Sequence, residues 1–367
     1  MRILAFVFLL LGGVLKSQSD PIIHSVFLIG DVGRDTIPSE AMFLLAFEAI
    51  GNENSSVVLL GDNVYPQGNM PKANEKRADR ILLSQLELFS TYTGSFFIIP
   101  GNHDWRAGKV KGLQAIKFQE QLSNDFSKFN SIHQNAGAIY LPHAGLPGPH
   151  GVDLGSSVKL IMLDSQWWLQ HDLFHPVDTE KDRTIKQEKD AFLQALDSLL
   201  LAAESQKKLA IVVGHHPLYT NGSHSHRREP LRFLFNYTPL HVLSWFGLNR
   251  LLRQDIVQPR YKKFRKSMRS VLTKHSNIIY ASGHDHNMQY LKDKQVHHIV
   301  SGSGAKISPI DRYRYPARFM EDQQNGFFRV NLHASGAVTL EAYGVRERGM
   351  YWKSQLFYLP VQPVLPK

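Results

Sequence analysis

The stretch between residues 56 and 65 reads Ser56-Val57-Val58-Leu59-Leu60-Gly61-Asp62-Asn63-Val64-Tyr65. A short apolar run that ends in a glycine and then in polar side chains is typical of a buried strand that stops at a tight turn. The pattern returns where residues 25–29, 95–100, 209–213 and 278–282 lead into Gly30-Asp31, Gly101-Asn102-His103-Asp104, Gly214-His215 and Gly283-His284-Asp285-His286. One such turn alone carries little information, but five of the same construction predict a shared site.

Helical patterns lie between these strands, over residues 39–50, 73–88, 113–129, 182–203 and 261–273. Strands that alternate with helices predict an α/β fold whose sheets are covered by helices. Near the end, residues 326–343 alternate in polarity around a turn at 334–336, which predicts a closing antiparallel hairpin. We expect one catalytic domain over residues 20–360, followed by a short C-terminal tail at 361–367.

The 367 residues include no cysteine, and 43% of them are apolar and 20% charged. This composition excludes a disulfide framework, a zinc finger and a cysteine nucleophile, so any metal must be held by nitrogen and oxygen. At the N-terminus, Arg2 precedes an apolar run at 3–15 that is too short to span a bilayer, which takes about 20 residues. The run predicts a signal peptide at 1–19 and a secreted or periplasmic protein, with a retained anchor as the alternative.

The net charge of +10 is concentrated in one segment, because residues 250–274 carry nine lysines and arginines and a single acid, Asp255. A nucleic-acid-binding protein spreads its charge over a face, so no nucleic acid is expected as a partner. The segment 241–274 also carries apolar and aromatic residues at 243–252. It is interpreted as a basic and aromatic insert that packs on the body, steers phosphorylated substrates or contacts an anionic membrane surface. No feature of the sequence specifies an oligomeric state.

The five strand ends offer carboxylate, amide, phenol and imidazole ligands, and functional groups gather at the carboxyl edge of such sheets. The candidates are Asp31, Asp62, Tyr65, Asn102, His103, His215, His284 and His286. Ligands of this kind suit a hard or borderline metal pair, such as iron with zinc, manganese or a second iron. Tyr65 adds a phenolate, which favours Fe(III), and Asp62, at the middle of the set, is the natural bridging ligand.

A charge count indicates the substrate class. Asp31, Asp62 and an ionised Tyr65 supply about three negative charges against about five positive ones from a trivalent and a divalent ion. One bound hydroxide leaves about one positive charge, which favours a phosphate dianion and a nucleophile at neutral or acidic pH.

The five ordered blocks resemble those of the purple acid phosphatases, within the calcineurin-like metallophosphoesterases. The run from Gly283 to Leu291, Gly-His-Asp-His-Asn-Met-Gln-Tyr-Leu, is most similar to the small, tartrate-resistant type. The resemblance implies a β-sandwich of two mixed sheets flanked by helices. It also implies an acid phosphatase that hydrolyses phosphomonoesters by attack of a metal-bound hydroxide, without a covalent intermediate.

The resemblance also implies a ligand set. Fe(III) would be held by Asp31, Tyr65 and His286, and a divalent Fe, Zn or Mn ion by Asn102, His215 and His284, with Asp62 bridging the two. His103 would contact the substrate phosphate and protonate the leaving group, and Asp104 would orient the ring of His103. His224 corresponds to a second histidine on the substrate side, with His226 as its rival, and His216 is interpreted as a non-ligating loop histidine.

One departure from the wider superfamily distinguishes the purple type. Most metallophosphoesterases carry Asp-x-His in the first block, whereas this chain has Gly33 at the position of the histidine. Tyr65 can supply the ligand that is lost, so the paired change favours the purple type over the phosphodiesterase type with manganese or zinc. The alternative functions are a phosphodiesterase or lipid-phosphate hydrolase of the same fold, and a non-catalytic envelope protein that binds metal or phosphate.

Overall fold

The computed structural model describes residues 20–52, 54–68, 76–108, 111–129, 138–170, 184–225, 259–310, 314–346 and 350–359. The predicted signal peptide at 1–19, the tail at 361–367, the first part of the insert at 241–258 and His226 lie outside these ranges. Within them, no helix combines the length and the apolar character that crossing a bilayer requires.

Two sheets of seven strands each form the centre of the fold. The first contains, in spatial order, β14 (Tyr351–Leu359), β13 (Val338–Val345), β12 (Gly326–His333), β1 (Ile22–Ile29), β2 (Ser55–Leu59), β3 (Ser95–Ile98) and β4 (Ala138–Tyr140). The second contains β11 (Ala317–Glu321), β9 (Met288–Asp293), β10 (Val296–Ser301), β8 (Ile278–Ser282), β7 (Leu209–Val213), β6 (Val158–Met162) and β5 (His150–Leu154). Both sheets are mixed: the first is parallel from β1 to the edge strand β4 and antiparallel on its other side, and the second is parallel at its centre and antiparallel at both edges.

The described helices are α1 (Glu40–Ile50), α2 (Lys76–Leu88), α3 (Gly112–Phe129), α4 (Ser165–Leu169), α5 (Ile185–Ser205) and α6 (Pro259–Leu272). The side chains of β1 show why helices cover the outer faces. Val26 and Leu28 point between the two sheets, and Phe27 and Ile29 pack under α1 on the other side. A strand that is buried on both faces has to be apolar at every position.

The predicted α/β sandwich of two mixed sheets flanked by helices is therefore confirmed. The predicted strand at 278–282 coincides with β8, and the predicted hairpin is the pair β12 and β13. Strand β14 extends that hairpin on its outer edge and was not predicted.

The described part of the basic insert is α6, which packs against the body through one face. Tyr261, Phe264 and Met268 are fully buried, in the cluster that α4 and α5 form on the outer face of the second sheet. The lysines at 262 and 263 lie on the exposed face. This half of the insert has the geometry of a helix packed on the body, since its apolar side chains already face the protein.

Asp164 links the two sheets beside the carboxyl ends of the strands. It follows β6, caps α4 by accepting from the Trp167 backbone N–H at 3.0 Å, and accepts from Trp105 Nε1 at 2.7 Å. Trp105 follows β3 in the other sheet. Burial raises the pKa of Asp164 to about 7, although both donors favour the ionised form.

A group whose folded pKa is raised stabilises the fold less as the pH rises from its unfolded to its folded pKa. The wild type should lose about 4 kcal/mol of unfolding free energy between pH 4 and pH 8 that Asp164→Asn does not lose. The stability of the variant relative to the wild type should therefore rise by this amount over that range. Urea denaturation of the metal-free proteins checks this, with the exposed Asp190→Asn as the matched control. Parallel pH curves for the wild type and Asp164→Asn would contradict the assignment.

Candidate metal centre

The carboxyl ends of the parallel strands of both sheets meet at one edge of the sandwich. The Gly30 N–H donates to the Ser301 carbonyl at 2.8 Å, and the Gly283 N–H donates to the His215 carbonyl at 3.0 Å. The turns after β1, β2, β3, β7 and β8 therefore lie side by side. They bring together all seven predicted ligands: Asp31, Asp62, Tyr65, Asn102, His215, His284 and His286.

Asp31, Tyr65 and His286 form the first of two clusters. Tyr65 Oη lies 2.8 Å from Asp31 Oδ1 and 3.2 Å from His286 Nε2. His286 Nε2 is 3.5 Å from the same carboxylate oxygen. This is the trio that the sequence assigns to the trivalent ion.

Asn102, His215 and His284 form the second cluster. Asn102 Oδ1 lies 3.0 Å from both His215 Nε2 and His284 Nδ1, and the two ring nitrogens are 3.3 Å apart. Ligand atoms bound at about 2.1 Å and at right angles to each other lie about 3 Å apart. The spacing of these three atoms therefore fits one shared cation.

Asp62 lies between the clusters. Its Oδ1 is 3.4 Å from His215 Nε2, and Asp31, Asp62 and His215 each offer a ligand atom within 4.8 Å of the others. The carboxylate is held in place by the His103 backbone N–H, which donates to Oδ1 at 2.8 Å. A carboxylate with one neighbour from each cluster has the position that a bridging ligand needs.

Backbone packing between the first two turns explains the pairing of Gly33 with Tyr65. The Gly33 N–H donates to the Asp62 carbonyl at 3.1 Å, and the Tyr65 N–H donates back to the Gly33 carbonyl at 2.8 Å. A Cβ atom on Gly33 would lie 2.2 Å from the backbone of Asn63. A histidine therefore has no room at position 33, and the loop that excludes it presents Tyr65 to Asp31.

The imidazoles of the second cluster are arranged to bind a metal. His215 Nδ1 donates to the Leu60 carbonyl at 2.8 Å, which fixes the ring and turns Nε2 toward the cluster. Burial lowers the pKa of His215, but Asp62 and Asp31 outweigh it and raise the pKa to about 9. Burial and the neighbouring imidazoles lower the pKa of His284 well below its usual value, so its ring is neutral.

The oxygen ligands concentrate negative charge in a buried place. Burial raises the pKa of Asp62, but His215 and His103 outweigh it and hold this pKa below the usual range. Burial and the carboxylates of Asp31 and Asp62 raise the pKa of Tyr65 well above its usual value. An ionised Tyr65 therefore requires a strongly charged cation within bonding distance, and this donor set fits such an ion.

His103 lies at the mouth of the site, with its side chain 34% exposed. Its Nδ1 donates to the Pro66 carbonyl at 2.7 Å, and its Nε2 lies 3.9 Å from Asp62 Oδ2. Among the described contacts, Asp104 makes none with this ring, so the expectation that Asp104 orients His103 is wrong. The carbonyl of Pro66 holds the imidazole instead.

Asp104 has a different task, because its buried carboxylate accepts hydrogen bonds from the turns that carry the candidate ligands. The backbone N–H groups of Gly101, Asn63 and Val64 donate to it at 2.7, 3.1 and 3.2 Å. Burial and the Asp62 carboxylate raise the pKa of Asp104 to about 8, against these donors. The residue ties the turn after β2 to the turn after β3, and so positions Asp62, Tyr65 and Asn102.

His224 lies beside the second cluster, stacked on His284 with the ring centroids 4.1 Å apart. Its backbone N–H donates to Asp285 Oδ1 at 3.1 Å, and Asp285 Oδ2 accepts from Thr220 Oγ1 at 2.6 Å. Asp285 therefore fixes the loop that carries His224. Its rival His226 lies outside the described residues.

His216 is fully buried behind the second cluster. Its Nδ1 lies 2.9 Å from Ser165 Oγ, and it offers a ring nitrogen within 4.8 Å of those of His215 and His284. Burial and the charge of His215 lower the pKa of His216 well below its usual value. Its role stays a prediction, and the hydrogen bond with Ser165 is what holds the ring.

Comparison with known proteins matches residues 24–302 to a family described as calcineurin-like phosphoesterase. The chain belongs to this family. The matched residues include every predicted ligand. The protein is therefore a metal-dependent phosphoester hydrolase.

Two curated relatives that are similar to this chain are named as acid phosphatases. The chain is 24% identical over 286 residues to the human tartrate-resistant acid phosphatase type 5, covering 75% of this chain and 71% of the relative. It is 22% identical over 288 residues to purple acid phosphatase 4 of Arabidopsis thaliana, covering 77% and 68%.

Two solved structures share the fold. One is described as GAP50, the anchor in the inner membrane complex of Plasmodium, with a TM-score of 0.54, 18% identity and coverage of 92% of this chain and 89% of that chain. The other is described as PhoD, with a TM-score of 0.52, 12% identity and coverage of 92% and 69%. At these identities, the likeness shows the fold alone.

Sequence reasoning missed two residues at the site. Asp285 stands between the predicted ligands His284 and His286, and an acid inside a ligand motif is a signal in itself. Lys306 follows the glycine–serine run at 301–304, and its Nζ lies 3.0 Å from the centroid of the Tyr65 ring. Burial lowers the pKa of Lys306, while Asp62 and Asp31 counteract the shift.

Replacing Gly33 with alanine tests the packing that presents Tyr65. The added methyl would collide with the Asn63 backbone, so we expect the loop to shift and the affinity for bound metal to fall about 10- to 100-fold. Metal titration followed by calorimetry measures this. The control is Gly51→Ala, in which the added Cβ would lie 3.7 Å from its nearest neighbour. This variant should bind metal as the wild type does. Equal metal affinity in both variants would refute the packing argument.

Proposed function

We propose that the protein is a binuclear acid phosphatase that hydrolyses phosphomonoesters, with Fe(III) in the cluster of Asp31, Tyr65 and His286. The observation that carries the proposal is the pair of three-residue ligand clusters on either side of Asp62, one of which contains a phenol. A divalent Fe, Zn or Mn ion would be held by Asn102, His215 and His284. The named similarity to tartrate-resistant and purple acid phosphatases supports the same activity.

The bound ions would supply charge neutralisation for the phosphate and activation of water at neutral or acidic pH. The residues of the chain prepare the site for this. Asp62 holds the two clusters at a fixed separation, and the His215 ring is oriented by the Leu60 carbonyl. The fully buried side chains of Asp31 and His215 keep bulk water away from the inner wall, which strengthens electrostatic interactions there.

His103 is the proposed proton donor to the leaving group. With its Nδ1 proton donated to the Pro66 carbonyl, its Nε2 faces the site 3.9 Å from Asp62 Oδ2. Nε2 can carry a proton to the ester oxygen as the bond to phosphorus breaks. His224, stacked on His284, would contact the substrate phosphate.

A phosphodiesterase or lipid-phosphate hydrolase is the second candidate, because the described half of the insert exposes lysines that could attract a larger anionic substrate. Contact with an anionic membrane surface through residues 241–274 is a further proposal from the sequence. The apolar side chains of α6 do not support it, since they are buried against the protein. We also keep the proposal of a secreted or periplasmic location, which rests on the predicted signal peptide.

Metal analysis with a visible spectrum tests the metal assignment, and a pair of substrates tests the reaction. We expect purified protein to contain iron, to show a phenolate-to-iron band that changes on reduction, and to hydrolyse an aryl phosphate monoester faster than its diester. Tyr65→Phe should lose the phenolate-to-iron band, and its rate of monoester hydrolysis should fall about 10- to 100-fold. Tyr92→Phe, which removes a buried phenol bonded to Ser55, should retain both. Colourless, fully active wild-type protein would contradict the assignment of Fe(III).

His103→Ala tests the proton donor through its dependence on the leaving group. An alkyl phosphate needs its departing oxygen protonated, so we expect a loss of about 100-fold in kcat, within the usual range for general acid catalysis. On a nitrophenyl phosphate, whose leaving group is a weak base, the variant should lose much less of its kcat.

The control for this experiment is His143→Ala, which removes a histidine whose side chain is 56% exposed and bonded to Glu120. It should leave both rates unchanged. Equal losses on the two substrates in His103→Ala would mean that His103 binds the phosphate without protonating the leaving group.

A further inference from the structure

The loop after β10 places a lysine directly above one of the proposed iron ligands. Lys306 Nζ lies 3.0 Å from the centroid of the Tyr65 ring, close enough for a strong cation–π contact. The Lys306 side chain is partly buried, so its position is more restricted than that of a surface lysine.

The backbone around Lys306 is fixed on both sides by the strand ends that carry the first cluster. The Gly304 N–H donates to the Gly30 carbonyl at 3.1 Å, next to Asp31. The Ser308 N–H donates to the His286 carbonyl at 2.7 Å. Lys306 is therefore held between two anchors, one beside each of the other two members of that cluster.

A second cation lies on the same rim. Arg34 is exposed, and its guanidinium donates to the Ala305 carbonyl at 3.5 Å, one residue before Lys306. The charge of the site therefore includes more than the metal ligands and ions, because the ammonium group of Lys306 also contacts it.

We propose that Lys306 is a specificity-determining residue whose ammonium group above Tyr65 favours a doubly charged phosphate monoester over a singly charged diester. This inference rests on the proposed function and adds to it how the site distinguishes the two substrate classes. Lysine acts as a compact point charge toward phosphate, so its effect depends on the charge of the ligand more than on its shape.

The size of the effect follows from the charge of the substrate. A fixed positive charge attracts a dianion about twice as strongly as a monoanion at the same distance. If removing the ammonium lowers kcat/KM for a diester about threefold, it lowers that for a monoester about tenfold. The monoester-to-diester ratio should then fall about threefold.

The test uses the metal-loaded Lys306→Met and Lys306→Arg variants with an aryl phosphate monoester and its diester. Lys306→Met should show the threefold fall in the ratio, and Lys306→Arg should restore most of it because the charge is retained. Lys117→Met removes an exposed lysine on α3 and should keep the wild-type ratio.

Two readouts do not depend on turnover. The affinity for inorganic phosphate, measured by calorimetry, should fall about tenfold in Lys306→Met at low salt, and less at high salt, where charges are screened. A cation above the ring lowers the energy of the phenolate electrons, so its removal should shift the phenolate-to-iron band to longer wavelength.

An unchanged ratio together with unchanged phosphate affinity in Lys306→Met would overturn the inference. The inference would also fail if Lys306→Met lost its metal and its monoester-to-diester ratio returned to the wild-type value once the metal was restored. Failure of the proposed function looks different, because metal-loaded wild-type protein would then hydrolyse neither ester or would prefer the diester. Phosphate affinity would still report on Lys306 in that case.

Discussion

The metal centre depends on the close backbone packing of the turn after β1 against the turn after β2. The N–H groups of Gly33 and Tyr65 and the carbonyls of Asp62 and Gly33 hold the two turns together. With no side chain at position 33, Asn63 lies where a larger residue would have to be. The absence of a histidine at position 33 and the placing of Tyr65 beside Asp31 are therefore one structural event, because the loop that fills the space of a histidine delivers the phenol.

This packing brings two carboxylates and a phenol together in one small buried space, and His215 is the buried imidazole whose charge offsets part of theirs. Asp31 and Asp62 are almost fully buried, and Tyr65 is 5% exposed beside them. The neutral imidazole of His284 and the amide oxygen of Asn102 also direct lone pairs toward the same small space. Burying carboxylates in this way is unfavourable unless cations or strong donors balance them, which is the physical reason to place two metal ions here.

Much of the fold, and the meeting of the candidate ligands at one edge of the sheets, could be predicted because their signals are local. The strand at 278–282 is apolar or aromatic at its first four positions and ends just before Gly283, and its predicted bounds are correct. The meeting of the candidate ligands follows from the rule that strand ends of a parallel sheet share an edge. The role of Asp104 could not be predicted in this way, since its donor Asn63 is 41 positions away and nothing near Asp104 in the sequence identifies it. Lys306 belongs to the same class, because its contact with Tyr65 depends on how the two sheets join.

The exposure of the site residues indicates the direction from which a substrate reaches the centre. His215 is fully buried, whereas the side chains of His286 and His103 are 24% and 34% exposed. The open side therefore runs past the first cluster, where Lys306 covers the Tyr65 ring. A phosphate that enters on this path meets Lys306 and the partly exposed His286 before it meets the inner wall at His215. The second cluster lies deeper than the first at this side, because its three members are each at most 3% exposed.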